Sequence, residues 1–222
     1  MKPTAAEPAA PAVVDDAAVA EAESALAALR AKYEADAPHE KFVTSFTNIV
    51  FGEGHARARL MFVGEAPGAD EDRTGRPFVG RAGQLLDKMI VAMGTAREAV
   101  YIANVLKTRP PNNATPTSEE ARLCAPYLYE QIRIIRPEVI VTLGLPATRL
   151  LLESTESMGK LRGRWAELDL PESGSAPAHT AAVMPTYHPA YLLRAYTDEN
   201  RAKVWSDLQQ AMDRLGLVGV KR

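Results

Sequence analysis

The chain has 222 residues, of which 46% are hydrophobic and 24% charged, with a formal net charge of −2 and one cysteine, Cys124. This is the make-up of a single globular domain with a flexible end. It excludes an internal disulfide and a CxxC or Cys/His zinc site. No apolar run approaches the roughly 20 residues that cross a bilayer, and the acids and prolines at the start are not those of a signal peptide, so a cytoplasmic protein without membrane contact is expected.

The charge is unevenly spread. Residues 1–40 carry eight acids and three bases, which leaves 20 acids and 23 bases in the remainder. That balance is compatible with a polyanionic partner without indicating one. Residues 1–14, MKPTAAEPAAPAVV, have almost nothing to bury and are expected to be a disordered Ala/Pro-rich tail. Residues 15–36 then read as a helix capped at Asp15 or Asp16, with Leu26, Leu29 and Tyr33 at helical spacing. Residues 37–222 are expected to form one further domain.

Within that domain strand and helix alternate. ARLMFVG (58–64), AVYIANVLK (99–107), PEVIVTLG (137–144) and TAAVMPTYHP (180–189) read as strands with their exits. GQLLDKMIVAMG (83–94), a segment opened by the Thr117/Glu120 capping box, PATRLLLE (146–153) and ENRAKVWSDLQQAMDRLG (199–216) read as helices, and GKLRGRWAELDL (159–170) as an arm or hairpin. Such alternation implies an α/β fold with a parallel sheet covered by helices and a ligand at the strands' C-terminal ends. Those ends, GEAPG, NVLKTRPP, TLGLP and YHPAYLLR, are the unusual polar stretches of the chain.

Each strand end admits two readings. The loop VGEAPGADEDRTGRPFVGRAG (63–83) holds Glu65, Asp70, Glu71 and Asp72. Its spacing is neither GxGxxG nor GxxxxGK[ST], and three adjacent acids serve either a divalent metal or a solvated turn. Phe78, after Pro77, is either a core side chain or a plate on which a nucleobase stacks, worth about 1–3 kcal/mol. Asn104 is either a satisfied structural amide or a donor–acceptor pair matching the N3–H and O4 edge of uracil. His188 is either structural or placed to stabilise a developing anion, and Tyr191, Leu192 and Leu193 behind it form an apolar loop able to wedge into a base stack.

Together these motifs, in this order over nearly all of residues 50–210, resemble the uracil-DNA glycosylase superfamily, and most closely its family four, the iron–sulfur type. The resemblance implies a three-layer αβα sandwich with a central four-stranded, mainly parallel sheet. It implies that Glu65, with Gly64, Ala66 and the loop amides, holds uracil and the attacking water, and that Glu71 is a second catalytic acid. It further implies that Phe78 stacks on the base, Asn104 reads its edge and His188 faces uracil O2. Tyr191 or Leu192 would fill the gap left by the flipped nucleotide. Ala66 stands where the best-known branch has an aspartate, so the partner of the water is left open. Phosphate contacts are expected from Arg73, Arg81, Lys107, Arg109, Arg162, Arg164 and Arg194.

The resemblance thus implies a monomeric, monofunctional glycosylase acting on uracil in double- or single-stranded DNA at the start of base excision repair. A non-catalytic DNA-binding or damage-sensing module, a glycosylase for hypoxanthine or xanthine, and an enzyme that traps its product covalently stand as alternatives. The family's 4Fe-4S cluster needs four cysteines. Here Thr108 replaces one, the segment 35–46 holds none, and only Cys124 is present. No cofactor is therefore expected, with Cys124 packed inside and Phe42 and Phe46 filling the cluster's place beside the N-terminal helix.

Overall fold

The computed structural model describes residues 15–173 and 177–220; the tail expected over 1–14 lies outside them. Six strands, β1 (Glu53–Gly54), β2 (Leu60–Gly64), β3 (Tyr101–Asn104), β4 (Val139–Leu143), β5 (Ala166–Leu170) and β6 (His179–Thr186), form one sheet in the order β1-β3-β2-β4-β6-β5. The inner four are parallel and correspond to the four strands read from the sequence. The edges are antiparallel: β1 on β3, and β5 on β6; GKLRGRWAELDL, read as an arm or hairpin, holds the end of a short helix and the strand β5, which pairs with β6 beyond it.

Helices cover both faces. α1 (Asp16–Asp36) opens at Asp15, whose carboxylate accepts from the Ala17 N–H at 3.1 Å. α2 (Ala69–Thr74) and α3 (Arg81–Ala92) follow β2, and α4 (Ser118–Ile135) starts at the Thr117/Glu120 capping box. α5 (Leu145–Leu152), α6 (Met158–Leu161), α7 (Pro189–Arg194) and α8 (Asp198–Leu215) complete the chain. None of the described helices is long and apolar enough to cross a membrane.

Alternation along each strand sorts the core into two layers. Met61 and Val63 of β2 join Leu29 and Tyr33 of α1, Leu128 and Ile132 of α4, and Leu151 of α5 on one face. Leu60 and Phe62 join Leu86 and Ile90 of α3 and Leu208 and Met212 of α8 on the other. This three-layer αβα arrangement explains why the central strands are apolar throughout: neither face meets water. α1 is part of this body. Its buried residues Ala22, Leu29 and Tyr33 lie on one stripe, and Tyr33 is fully enclosed.

Candidate active site

Because β2, β3, β4 and β6 are parallel, their C-terminal ends lie along one edge of the sheet. Gly64 of β2 pairs with Asn104 of β3. A Cβ on Gly64 would stand 2.3 Å from Asn104 Oδ1 and 2.5 Å from Phe78 Cζ, so only glycine lets the amide and the ring close over the strand. The Phe78 ring lies 5.5 Å from that of His188 at 32°. At the end of β4, Gly144 (φ 94°) leaves room for His188, whose Cβ would be 3.1 Å from an added one. Gly64, Phe78, Asn104 and His188 thus form one continuous contact, as the strand-end reading expected.

Asn104 is 1% exposed, and its Oδ1 has no hydrogen-bond partner among the described residues. A buried acceptor left unpaired costs about 1–3 kcal/mol, a cost that an incoming donor would relieve. His188 caps α7: its Nδ1 accepts from the Ala190 N–H at 3.0 Å, so the ring proton sits on Nε2. Desolvation pushes the His188 pKa down to about 4, helped by the Arg194 charge. The residue is only partly buried, and its imidazole is neutral with Nε2–H able to donate. Burial raises the pKa of Glu65, at the exit of β2, while Thr115 and Arg194 pull it the other way.

The other acids of the loop all have partners within the fold. Glu71, expected to be catalytic, accepts from the N–H groups of Val79 and Gly80 at 2.8 Å and of Gly68 at 3.2 Å. A carboxylate so occupied braces the loop. Asp72 accepts from Thr47 and Asn48, and Asp70 pairs with Arg73 at the surface. Among the described residues no group of three His, Cys, Asp or Glu side chains is placed to hold a metal.

The brace has a counterpart that the sequence did not reveal. Phe78 sits at φ 50°, a left-handed conformation costing roughly 1–2 kcal/mol for a residue with a side chain. Arg97, directly before β3, donates to the carbonyls of Pro77 at 2.5 Å and Phe78 at 3.1 Å, and pairs with Glu53 and Asp87. Glu71 holds the amides that follow, so the strained residue is gripped from both sides. Arg97→Ala is expected to lower kcat/KM on uracil-containing DNA roughly 10-fold, the release of that strain. Steady-state kinetics beside a Phe78→Ala control check it, and unchanged kcat/KM would refute the grip.

Of the side chains expected to meet DNA, three are not free to do so. Lys107 and Leu192 are 0% and 2% exposed: the exit of β3 carries Lys107 inward, and Leu192 joins the core layer that includes α3 and α8. Arg162 is spent on the buried Asp207 and on the Lys203 carbonyl, with Tyr187 beneath it. Arg194 is exposed, Arg109 is partly so and bonds Asn113 at 2.8 Å, and Tyr191 lies half-buried on Tyr187 at 4.7 Å. A cavity of about 560 Å³ between α3 and α8 takes Leu192 but none of Gly64, Glu65, Phe78, Asn104 or His188, and is not this cleft.

The sequence model of the uracil DNA glycosylase superfamily matches residues 51–209. The chain belongs to that superfamily. It is 47% identical over 166 residues to a type-4 uracil-DNA glycosylase of Thermotoga maritima, covering 74% of this chain and 82% of that one. A type-4 enzyme of Archaeoglobus fulgidus is 43% identical over 169 residues, covering 74% and 80%. A type-5 uracil-DNA glycosylase of Pyrobaculum aerophilum is 36% identical over 115 residues, covering 45% and 50%. The matched segment contains every residue of the strand-end contact.

The superfamily member's own donors do not fit an iron–sulfur cluster. Cys124 is the single thiol, and burial pushes its pKa up to about 11, against the thiolate that ligation requires. Thr108 is buried, and Tyr33 of α1 is directed at Thr108 and Cys124, with its hydroxyl hydrogen-bonded to neither in good geometry. Around Tyr33 pack His39 (5.3 Å, stacked), Tyr127 (5.0 Å, edge-on) and Phe51 (6.1 Å). The aromatic filling expected of Phe42 and Phe46 is therefore supplied mainly by other residues. Phe42 packs at its margin, and Phe46, 39% exposed, meets His39 edge-on.

A melting experiment tests this packing. Tyr33→Ala is expected to cost about 3–5 kcal/mol, as for other buried aromatics. Tyr33→Phe, which removes only an unpaired hydroxyl, is expected to be neutral or slightly stabilising. A large loss in Tyr33→Phe would show that the hydroxyl is bonded after all.

Proposed function

We propose that the protein is a monofunctional uracil-DNA glycosylase that hydrolyses the bond between uracil and deoxyribose and so opens base excision repair. The observation that carries this reading is the buried, unpartnered Oδ1 of Asn104, held over Gly64 beside the Phe78 ring. It is an acceptor next to a stacking plate, which is what the N3–H edge of a flat base requires. The named activity of the type-4 relatives supports it.

In this reading the uridine leaves the stack, its base slides over Phe78, and Asn104 accepts from N3–H and donates to O4. As the C1′–N1 bond lengthens, the electron pair moves onto the base and the neutral His188 donates Nε2–H to uracil O2. Glu65 holds the water whose oxygen bonds to C1′, and the water's proton ends on the departing base. Glu71 and Arg97 keep Phe78 in place. Arg109 and Arg194 meet phosphates, and Tyr191 fills the vacated stack. The partner is uracil-containing DNA, double- or single-stranded, met by a monomer in the cytoplasm.

Incubation with a uracil-containing oligonucleotide tests the proposal: free uracil and an alkali-labile abasic site are expected. Binding without release, or a heat-stable protein–DNA adduct, would overturn it.

A further inference from the structure

Lys107 is the anomaly that this mechanism leaves unused. No other lysine or arginine among the described residues is fully buried, and its ammonium has no carboxylate partner among the described ion pairs. Nζ donates to the Asn104 carbonyl at 2.8 Å and to Gln131 Oε1 at 2.5 Å, and lies 5.4 Å from the centre of the Phe51 ring. Gln131 is itself fixed, its Nε2 bonding the Phe51 carbonyl at 2.9 Å. The ionisable group facing the ammonium is the Cys124 thiol, which burial keeps protonated.

Burial pushes the Lys107 pKa down to about 7; charged or neutral, an amine enclosed without a carboxylate lowers stability, and an apolar side chain of similar length would fill the space without that cost. What the amine holds is specific. Asn104 is the last residue of β3, where the ladder with β2 ends, and its carbonyl is bonded by Lys107. The same residue carries the amide whose Oδ1 stands over Gly64.

We infer that Lys107 is a positioning residue: through Gln131 and Phe51 it locks the peptide of Asn104, and so sets the angle at which the Asn104 amide meets the base. This rests on the base-reading role proposed for Asn104.

Lys107→Met is expected to lower kcat/KM for uracil excision on the order of 10- to 100-fold, the scale at which misplaced groups act. Inhibition by free uracil should weaken by a similar factor, and the melting temperature should hold or rise. In an Asn104→Ala background the same substitution should change kcat/KM by less than about twofold. If Asn104→Ala itself excises uracil normally, the base-reading role fails and the inference with it. If Asn104→Ala is impaired while Lys107→Met is not, only the inference fails. Multiplying losses in the double variant, or a loss of activity that tracks a lowered melting temperature, also overturn it. Should Lys107→Met not fold, Gln131→Leu, which removes the second acceptor, carries the same comparisons.

Discussion

Asn104→Ala is expected to lower kcat/KM for uracil excision by about 100- to 1000-fold. The substitution leaves the N3–H and O4 of a bound uracil without partners in a closed pocket, at about 1–3 kcal/mol for each unpaired group. A site built to hydrogen-bond its substrate discriminates on that scale. Stability should not follow. Oδ1 is already buried and unpartnered, so removing it relieves a desolvation cost, and the melting temperature is expected to stay level or rise. Steady-state rates on a uracil oligonucleotide and a thermal melt check both halves. A rate within a few-fold of the parent would remove Asn104 from the site.

His188→Ala is expected to lower kcat by about 100- to 1000-fold, the loss seen when a donor to a developing anion is removed. It also removes the acceptor for the Ala190 N–H, so about 1 kcal/mol of stability should go with it. The pH profile separates His188 from Glu65. With its pKa pushed down to about 4, His188 is neutral across pH 5–8 and should contribute no limb there. Burial raises the pKa of Glu65, so its carboxylate is lost as the pH falls through a value above the ordinary carboxylate range. The acid limb of kcat/KM should therefore belong to Glu65 and flatten in Glu65→Gln, on a lower plateau. Persistence of the limb in that variant would refute the assignment.

The inner strands were legible because burial on both faces leaves a run of apolar residues that no surface strand carries. The edge strands were harder to see: β1 is two residues long and ends in glycine, and β5 alternates in burial. α2 was hidden in a run of glycines and acids, since its capping rests on Gly68 and Glu71 and no apolar stripe marks it. Gly64, Asn104 and His188 lie at strand ends that parallel topology gathers, whereas Phe78, on the loop between α2 and α3, is held beside them by Glu71 and Arg97. Which way a side chain turns just past a strand was not readable. Lys107 and Arg109 are near neighbours in KTRPP, yet one is enclosed and the other partly open. Tyr191 and Leu192 differ in the same way because α7 turns one residue to the core and its neighbour toward the rim. Arg97 was silent for a different reason. Its partners are backbone carbonyls about 20 residues away, and carbonyls leave no trace in a sequence.

The aromatic packing around Tyr33 bears on how the protein comes to maturity. A corner joined by side chains of α1 and α4, with the loop carrying Phe51 between them, is finished when the polypeptide has folded. Side chains that the chain itself supplies close this corner, where the resemblance implies cluster ligands. The enclosed Cys124, whose pKa burial raises, offers oxidants little.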